Sequence, residues 1–261
     1  MKSLQINGTM KAYEAISIIL KEMAAMANPG VKTIDIDAYA ERRIKELGAE
    51  SYNKGYKAQF AKKPWEYVSC INVNSIIAHG RPGDYILQNG DVVSFDLGIK
   101  KDNECADAAL SVGVGEISNA RRHLLKYAKQ IIYDAISFMV PGAKTEDIAR
   151  IIEYHALSYG FLVNRRFAGH RIGEQMHMKP NIYNTHEAEH IYGILNLGEI
   201  YCIEPMITKS KDNMGMFIDP DGWTCVTGDG KDSAFFEHMV EITEAEPKIL
   251  TTHFTNEGRH V

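Results

Sequence analysis

Four carboxylates interrupt apolar runs. Asp96 follows Val92, Val93 and Phe95, and Asp107 lies among Cys105, Ala106, Ala108 and Ala109. Glu204 follows Ile200-Tyr201-Cys202-Ile203, and Glu237 sits within Phe235-Phe236-Glu237-His238-Met239-Val240. Aspartate is a poor strand former, and a carboxylate forced into an apolar strand needs a shared proton or a cation. Asp96 and Asp107 are equidistant from the Lys101-Asp102 pair. A symmetric antiparallel hairpin therefore makes them cross-strand partners, with Cβ atoms about 4.5–5.5 Å apart. The other reading is a bulge that shifts the register and turns both to water. Four carboxylates converging from four strands form an anionic pocket of the oxygen-rich kind that suits hard or borderline divalent metals, with capacity for two ions and bridging oxygens.

Histidine adds to this set. His170 lies in the glycine-flanked stretch Phe167 to Gly173, which predicts close backbone approach. His79 and His177 each stand three residues before a proline, in His79-Gly80-Arg81-Pro82 and His177-Met178-Lys179-Pro180. A single histidine is more often a hydrogen-bonded structural residue than a ligand. His123, His155, His186, His190, His238, His253 and His260 are read that way, His238 pointing to the strand face opposite Glu237.

The elements that must position these groups come in two similar sets. Pro29-Gly30-Val31-Lys32-Thr33 recurs as Pro141-Gly142-Ala143-Lys144-Thr145, each opening a helical stretch, Ile36 to Leu47 before Gly48 and Ile148 to Tyr159 before Gly160. Gly90-Asp91-Val92-Val93-Ser94-Phe95-Asp96 is echoed by Gly198-Glu199-Ile200-Tyr201-Cys202-Ile203-Glu204, in the same order as the histidine repeats. An amphipathic helix over Tyr13 to Met26 precedes the first set. Strand pairs are expected at Val92–Ile99 with Glu104–Val112, and at Glu199–Met206 with Phe235–Ile242. The fold class is α+β, with antiparallel sheet and helices on the outer face. No Pro/Ser-rich linker divides the chain, so 1–261 is taken as one catalytic domain built from pseudo-symmetric halves, about 12–115 and 120–247.

The bulk properties narrow the classes. The 261 residues carry a net charge of −5, which offers no basic stripe for nucleic acid. No apolar run approaches the about 18–20 residues of a membrane span, and MKSLQINGTMK lacks the apolar stretch of a secretory signal. Cys70, Cys105, Cys202 and Cys225 show no CxxC spacing and fit reduced thiols in the cytoplasm.

At these residues the chain closely resembles the type I methionine aminopeptidases of the pita-bread fold, peptidase family M24. The resemblance rests on the ordered set Asp96, Asp107, His170, Glu204 and Glu237, on the spacing between the two aspartates, on Ile203-Glu204-Pro205 and on Phe236-Glu237-His238. The short interval from His177 to Glu204 points to the first type, and the extra N-terminal domain of prolidases and aminopeptidase P is not expected. The resemblance implies two divalent metal ions, Co, Mn, Fe(II) or Zn. Asp96 would chelate the first, Asp107 and Glu237 would bridge both, and His170 and Glu204 would complete the second. It further implies Glu204 as proton acceptor, His79 at the scissile amide, His177 at the carbonyl oxygen, and a methionine pocket at Cys70, Trp223 and Met176.

The implied reaction is removal of N-terminal methionine from nascent polypeptides and peptides, favouring a small second residue, by a ribosome-proximal cytoplasmic monomer. The alternatives are an M24 aminopeptidase of other specificity, such as an Xaa-Pro peptidase, and a catalytically inactive binding module on the same fold. Several positions depart from the family: Arg171 stands for glycine, Met178 for an acidic residue, and Gly98 and Cys202 for threonines. The longer segment Gly55 to Ser69, with Lys57, Lys62 and Lys63, is expected at the pocket rim.

Overall fold

The computed structural model describes residues 10–58, 61–209 and 216–252; His253, His260 and the first nine residues lie outside these. Helix α1 spans Ala12–Met26 and buries Ala15, Ile16, Ile19, Leu20 and Met23, spaced to make one apolar stripe. Helices α2 (Thr33–Glu46) and α4 (Thr145–Ser158) are the two repeat-opening helices. Each ends before a glycine in the left-handed region, Gly48 at φ 68° and Gly160 at φ 78°, where a Cβ is strained. Helix α3 (Asn119–Ile136), which the repeat does not single out, starts at Ser118, whose hydroxyl accepts a hydrogen bond from the Arg121 N–H at 3.3 Å.

Among the described residues the strands form four antiparallel sheets. In the first half, β4 (Val92–Lys101) lies between β1 (Glu50–Ser51) and β2 (Ser69–Val73) and also pairs with β5 (Glu104–Gly113). In the second half the order is β15 (Lys248–Ile249), β14 (His238–Glu241), β9 (Ile200–Ile203), β7 (Ala168–Ile172) and β8 (Met178–Tyr183). Two small sheets join β3 (Ile76–Ala78), β12 (Cys225–Thr227) and β11 (Met216–Ile218), and β6 (Leu162–Val163), β10 (Ile207–Thr208) and β13 (Ser233–Ala234). Helix α1 packs on β4 and β5, and α4 packs on β8.

The repeat extends to the hydrogen bonds. The Thr33 hydroxyl accepts the Gly83 N–H at 2.9 Å, and the Thr145 hydroxyl accepts the Gly193 N–H at 3.0 Å. Gly30 N–H donates to the Leu87 carbonyl as Gly142 N–H donates to that of Leu195, and Gly90 to Val114 as Gly198 to Ile242.

One expected pairing is not formed. Asp96 is opposite Ala109, and Asp107 is opposite Gly98. The turn residues are Asp102 and Asn103, with φ 51° and 67°, not Lys101 and Asp102. Positive φ at both central positions is what a twist-matched two-residue hairpin requires, and Asp and Asn tolerate it. The turn centre moves by one residue, so Asp96 and Asp107 become diagonal neighbours on one face rather than a direct pair. The other expected pair, β9 with β14, forms in register from Ile203↔His238 to Ile200↔Glu241, but β10 to β13 intervene, so it is not a tight hairpin.

Candidate metal centre

Asp96 and Asp107 project from the β4–β5 hairpin, and a backbone hydrogen bond beside them ties in the second half. Ala109, the partner of Asp96, accepts the Glu237 N–H at 2.9 Å. Ser111 reinforces the junction. Its hydroxyl donates to the Phe235 carbonyl at 2.7 Å, accepts the Phe235 N–H at 3.1 Å, and lies 2.6 Å from the Ser94 hydroxyl, all buried. Continuing the β9–β14 register by one step sets Glu204 opposite Glu237.

His170 enters from β7, paired with Cys202 of β9. A Cβ on Gly169 would stand 2.2 Å from the Cys202 carbonyl oxygen, so only glycine permits this approach. The His170 Nδ1 lies 3.1 Å from the Arg171 carbonyl. A carbonyl only accepts, so Nδ1 is the donor there, and Nε2 lies 3.7 Å from Asp107 Oδ2. Arg171 does not enter the site: its guanidinium pairs with Glu199. Three sets have ligand atoms within 4.8 Å of one another: Asp96, Asp107 and Glu237; Asp107, His170 and His177; and His170, Cys202 and Glu237. Glu204 joins none of these sets among the described residues.

The electrostatics are those of a site that wants positive charge. Burial, then repulsion by Asp107, pushes the Asp96 carboxyl up to about 8, although a hydrogen bond with Cys70 opposes the rise. Burial raises Glu204 well above the carboxylate range, with Asp107 and Asp96 adding to it. Glu237 is raised likewise, by burial and then by Asp107, Glu204 and Asp96. Burial first, and Glu237 next, hold the Cys202 thiol far above its usual range. Glu237 is 3% exposed, and its Oε1 has no hydrogen-bond partner. A divalent cation satisfies that oxygen and relieves the repulsion together, and an oxygen-rich set with one imidazole is a fitting donor set for it.

Beside the carboxylates opens a cleft of about 200 Å³ lined by Cys70, His79, Asp96, Asp107, Met176, His177 and Trp223, all singled out from the sequence. Tyr52, Asn53, Tyr56, Ala58 and Trp65 also line it and were not. The last three lie in the segment Gly55 to Ser69, expected at the rim, and Trp65 is one of only two tryptophans. Its ring meets Trp223 edge-on at 5.2 Å, and the Trp223 indole N–H donates to the Lys63 carbonyl at 3.1 Å. Asp37 pins the start of β2, accepting the Ser69 N–H at 2.9 Å and the Ser69 hydroxyl at 2.7 Å, which places Cys70 at the wall.

His79 sits at φ 53°, a strained conformation for a residue with a side chain. Its carbonyl accepts the Thr224 hydroxyl at 3.2 Å, and Phe167 and Trp223 meet its ring edge-on. Burial, aided by His177, pushes His79 down to about 4, so the imidazole is neutral at physiological pH. His177 is also lowered, by burial and then by His170, and its ring meets His170 at 4.6 Å.

Residues 7–244 match the family model described as metallopeptidase family M24. A curated methionine aminopeptidase of Aquifex aeolicus is 34% identical over 249 residues, covering 95% of this chain and 96% of the relative. The solved methionine aminopeptidase of Thermotoga maritima superposes with a TM-score of 0.85 at 30% identity, covering 92% of this chain and 93% of that one. A prolidase of Pyrococcus furiosus shares the fold, with a TM-score of 0.71 at 22% identity, but the chain covers only 65% of its length.

Proposed function

The chain belongs to metallopeptidase family M24, and from that premise we propose that it is a hydrolase removing the N-terminal methionine of polypeptides and peptides. The observation that carries this reading is the junction of two unlike surfaces: a carboxylate and histidine centre with the groups to hold a cation, and a cleft walled largely by sulfur and aromatic groups. Methionine is a long, polarisable thioether, which such walls suit.

We assign Asp96, Asp107, His170, Glu204 and Glu237 as ligands of two divalent ions, with Co, Mn, Fe(II) and Zn as the candidates. When bound, the metal supplies the Lewis acidity that makes water nucleophilic near neutral pH. Glu204 accepts the proton of the attacking water and passes it to the leaving amine. His177, at the open side of the cleft, donates a hydrogen bond to the carbonyl oxygen as charge develops there. His79, neutral and held rigid by its aromatic neighbours, hydrogen-bonds the scissile amide. The anionic end of the cleft at Asp96 and Asp107 favours a free α-amino group, which restricts cleavage to the first peptide bond. Cys70, Met176 and Trp223, with Trp65, enclose the methionine side chain. The four cysteines are free and buried, a state suited to a reducing cytoplasm.

The test is release of the N-terminal residue from Met-Ala-Ser and from Ala-Pro peptides by metal-free protein resupplied with each candidate metal. Release from Met-Ala-Ser alone is expected. No release with any metal, or preferred cleavage of Ala-Pro, overturns the reading.

A further inference from the structure

Cys202 stands at the centre of the second half's ladder, paired on one side with His170 and on the other with Met239. Its side chain is fully buried. The sulfur lies with the His170 ring nitrogen and a Glu237 oxygen in a set whose ligand atoms are all within 4.8 Å of one another, and all three residues are buried. Another contact of the sulfur is a long one, 4.0 Å from the Asp107 carbonyl oxygen. The sulfur also hydrogen-bonds the Glu237 carboxyl, and two features of its neighbours bear on ligation. The His170 Nδ1 lies 3.1 Å from the Arg171 carbonyl, and Nε2 lies 3.7 Å from Asp107 Oδ2, on the side of the carboxylates. Glu237 Oε1 is buried without a hydrogen-bond partner.

We propose that Cys202 is a further ligand of the metal centre, binding as a thiolate alongside His170 and Glu237. This rests on the metal-centre reading above and sharpens it. Coordination forms one metal–sulfur bond and releases the thiol proton to solvent, with no change of oxidation state. A sulfur donor among carboxylates shifts selectivity. Thiolate favours zinc and iron(II), whereas an all-oxygen and imidazole set accommodates manganese(II). A threonine hydroxyl at the same place would not do this.

Cobalt(II) titration of the metal-free protein separates the two readings. Visible ligand-field bands report filling of the carboxylate and histidine centre, while thiolate-to-cobalt charge transfer in the near ultraviolet reports sulfur ligation. Both are expected in the unaltered protein and in Cys70→Ser, and only the ligand-field bands in Cys202→Ser. The zinc-over-manganese preference of Cys202→Ser, from competition binding, is expected to fall by at least about tenfold.

If Cys202→Ser does not fold, X-ray absorption at the zinc edge of the Cys70→Ser protein decides. One sulfur at about 2.3 Å, beyond the oxygen and nitrogen shell, supports the thiolate. Ligand-field bands without charge transfer, or a zinc shell without sulfur, overturn Cys202 as ligand and leave the metal centre standing. Absence of both bands removes the metal centre, and the thiolate with it.

Discussion

Glu204 and Glu237 face the same carboxylates, Asp107 and Asp96, and a cation is the charge that would relieve both. Burial, and then repulsion by the neighbouring carboxylates, raises both well above the carboxylate range. A bound cation opposes that rise, and in the proposed reaction Glu204 is the proton acceptor. Glu204→Gln keeps size and fold but removes that base. Its kcat is expected to fall by about 10²–10⁴-fold with an unchanged circular dichroism spectrum; turnover near that of the unaltered enzyme would refute the role. His79→Ala is expected to lower kcat by about 10²-fold with little change in KM, since His79 is assigned to the scissile amide rather than to the methionine side chain. Because burial already holds His79 neutral, the kcat profile should show no step from it above about pH 5. A His79-dependent step near neutrality, removed by His79→Ala, would contradict this.

At the scale of elements, position depends on a few close contacts. Gly169 lets β7 approach the Cys202 carbonyl, and that approach sets His170 beside Asp107. Gly169→Ala must push the two strands apart. A loss of about 1–3 kcal/mol in urea unfolding is expected, together with weaker metal binding by calorimetry. Unchanged stability and affinity would show that the strands tolerate the shift.

The same scale explains what the sequence displayed. Carboxylates inside apolar runs are visible because the residue type contradicts its surroundings, and the repeat placed Glu204 in correspondence with Asp96. The Asp96–Asp107 register was misplaced because Asp102-Asn103, unlike Asn-Gly, is a weak turn signal, and only the backbone φ values reveal it. Tyr52 and Asn53 were not legible, since they reach the cleft through an irregular turn with no periodicity, whereas Tyr56 was legible only as part of the rim segment Gly55 to Ser69. Gly98 is explained only in three dimensions: a Cβ there would meet Asn53 Oδ1 at 2.6 Å and the Met176 methyl at 2.9 Å, so the lost threonine makes room for the cleft wall.

Over the whole molecule, the contact of Ala109 and Ser111 with Phe235 and Glu237 is one of several that join the two halves, and metal binding at Glu237 is expected to be coupled to folding. The sign follows from Asp96. Its carboxyl moves from 3.8 to about 8 in the folded metal-free protein, so the folded state holds the extra proton between those values. Stability conferred by the protonated form is therefore complete below about pH 4 and declines as pH rises towards about 8. Other titrating groups held constant, the metal-free protein should lose melting temperature across that interval. Added metal should restore more of it at higher pH, because the ligands must be deprotonated to bind. A metal-induced shift independent of pH would contradict coupling through these carboxylates.

The central claim is hydrolysis at a free N-terminal methionine by a metal held among these residues. Its most direct measurement is methionine release from Met-Ala-Ser and from N-acetyl-Met-Ala-Ser by metal-free protein as a divalent ion is titrated in. Release from the free peptide that rises with metal and saturates, and none from the acetylated one, is the expected result. Equal release from both peptides, or release unaffected by metal removal, would contradict it.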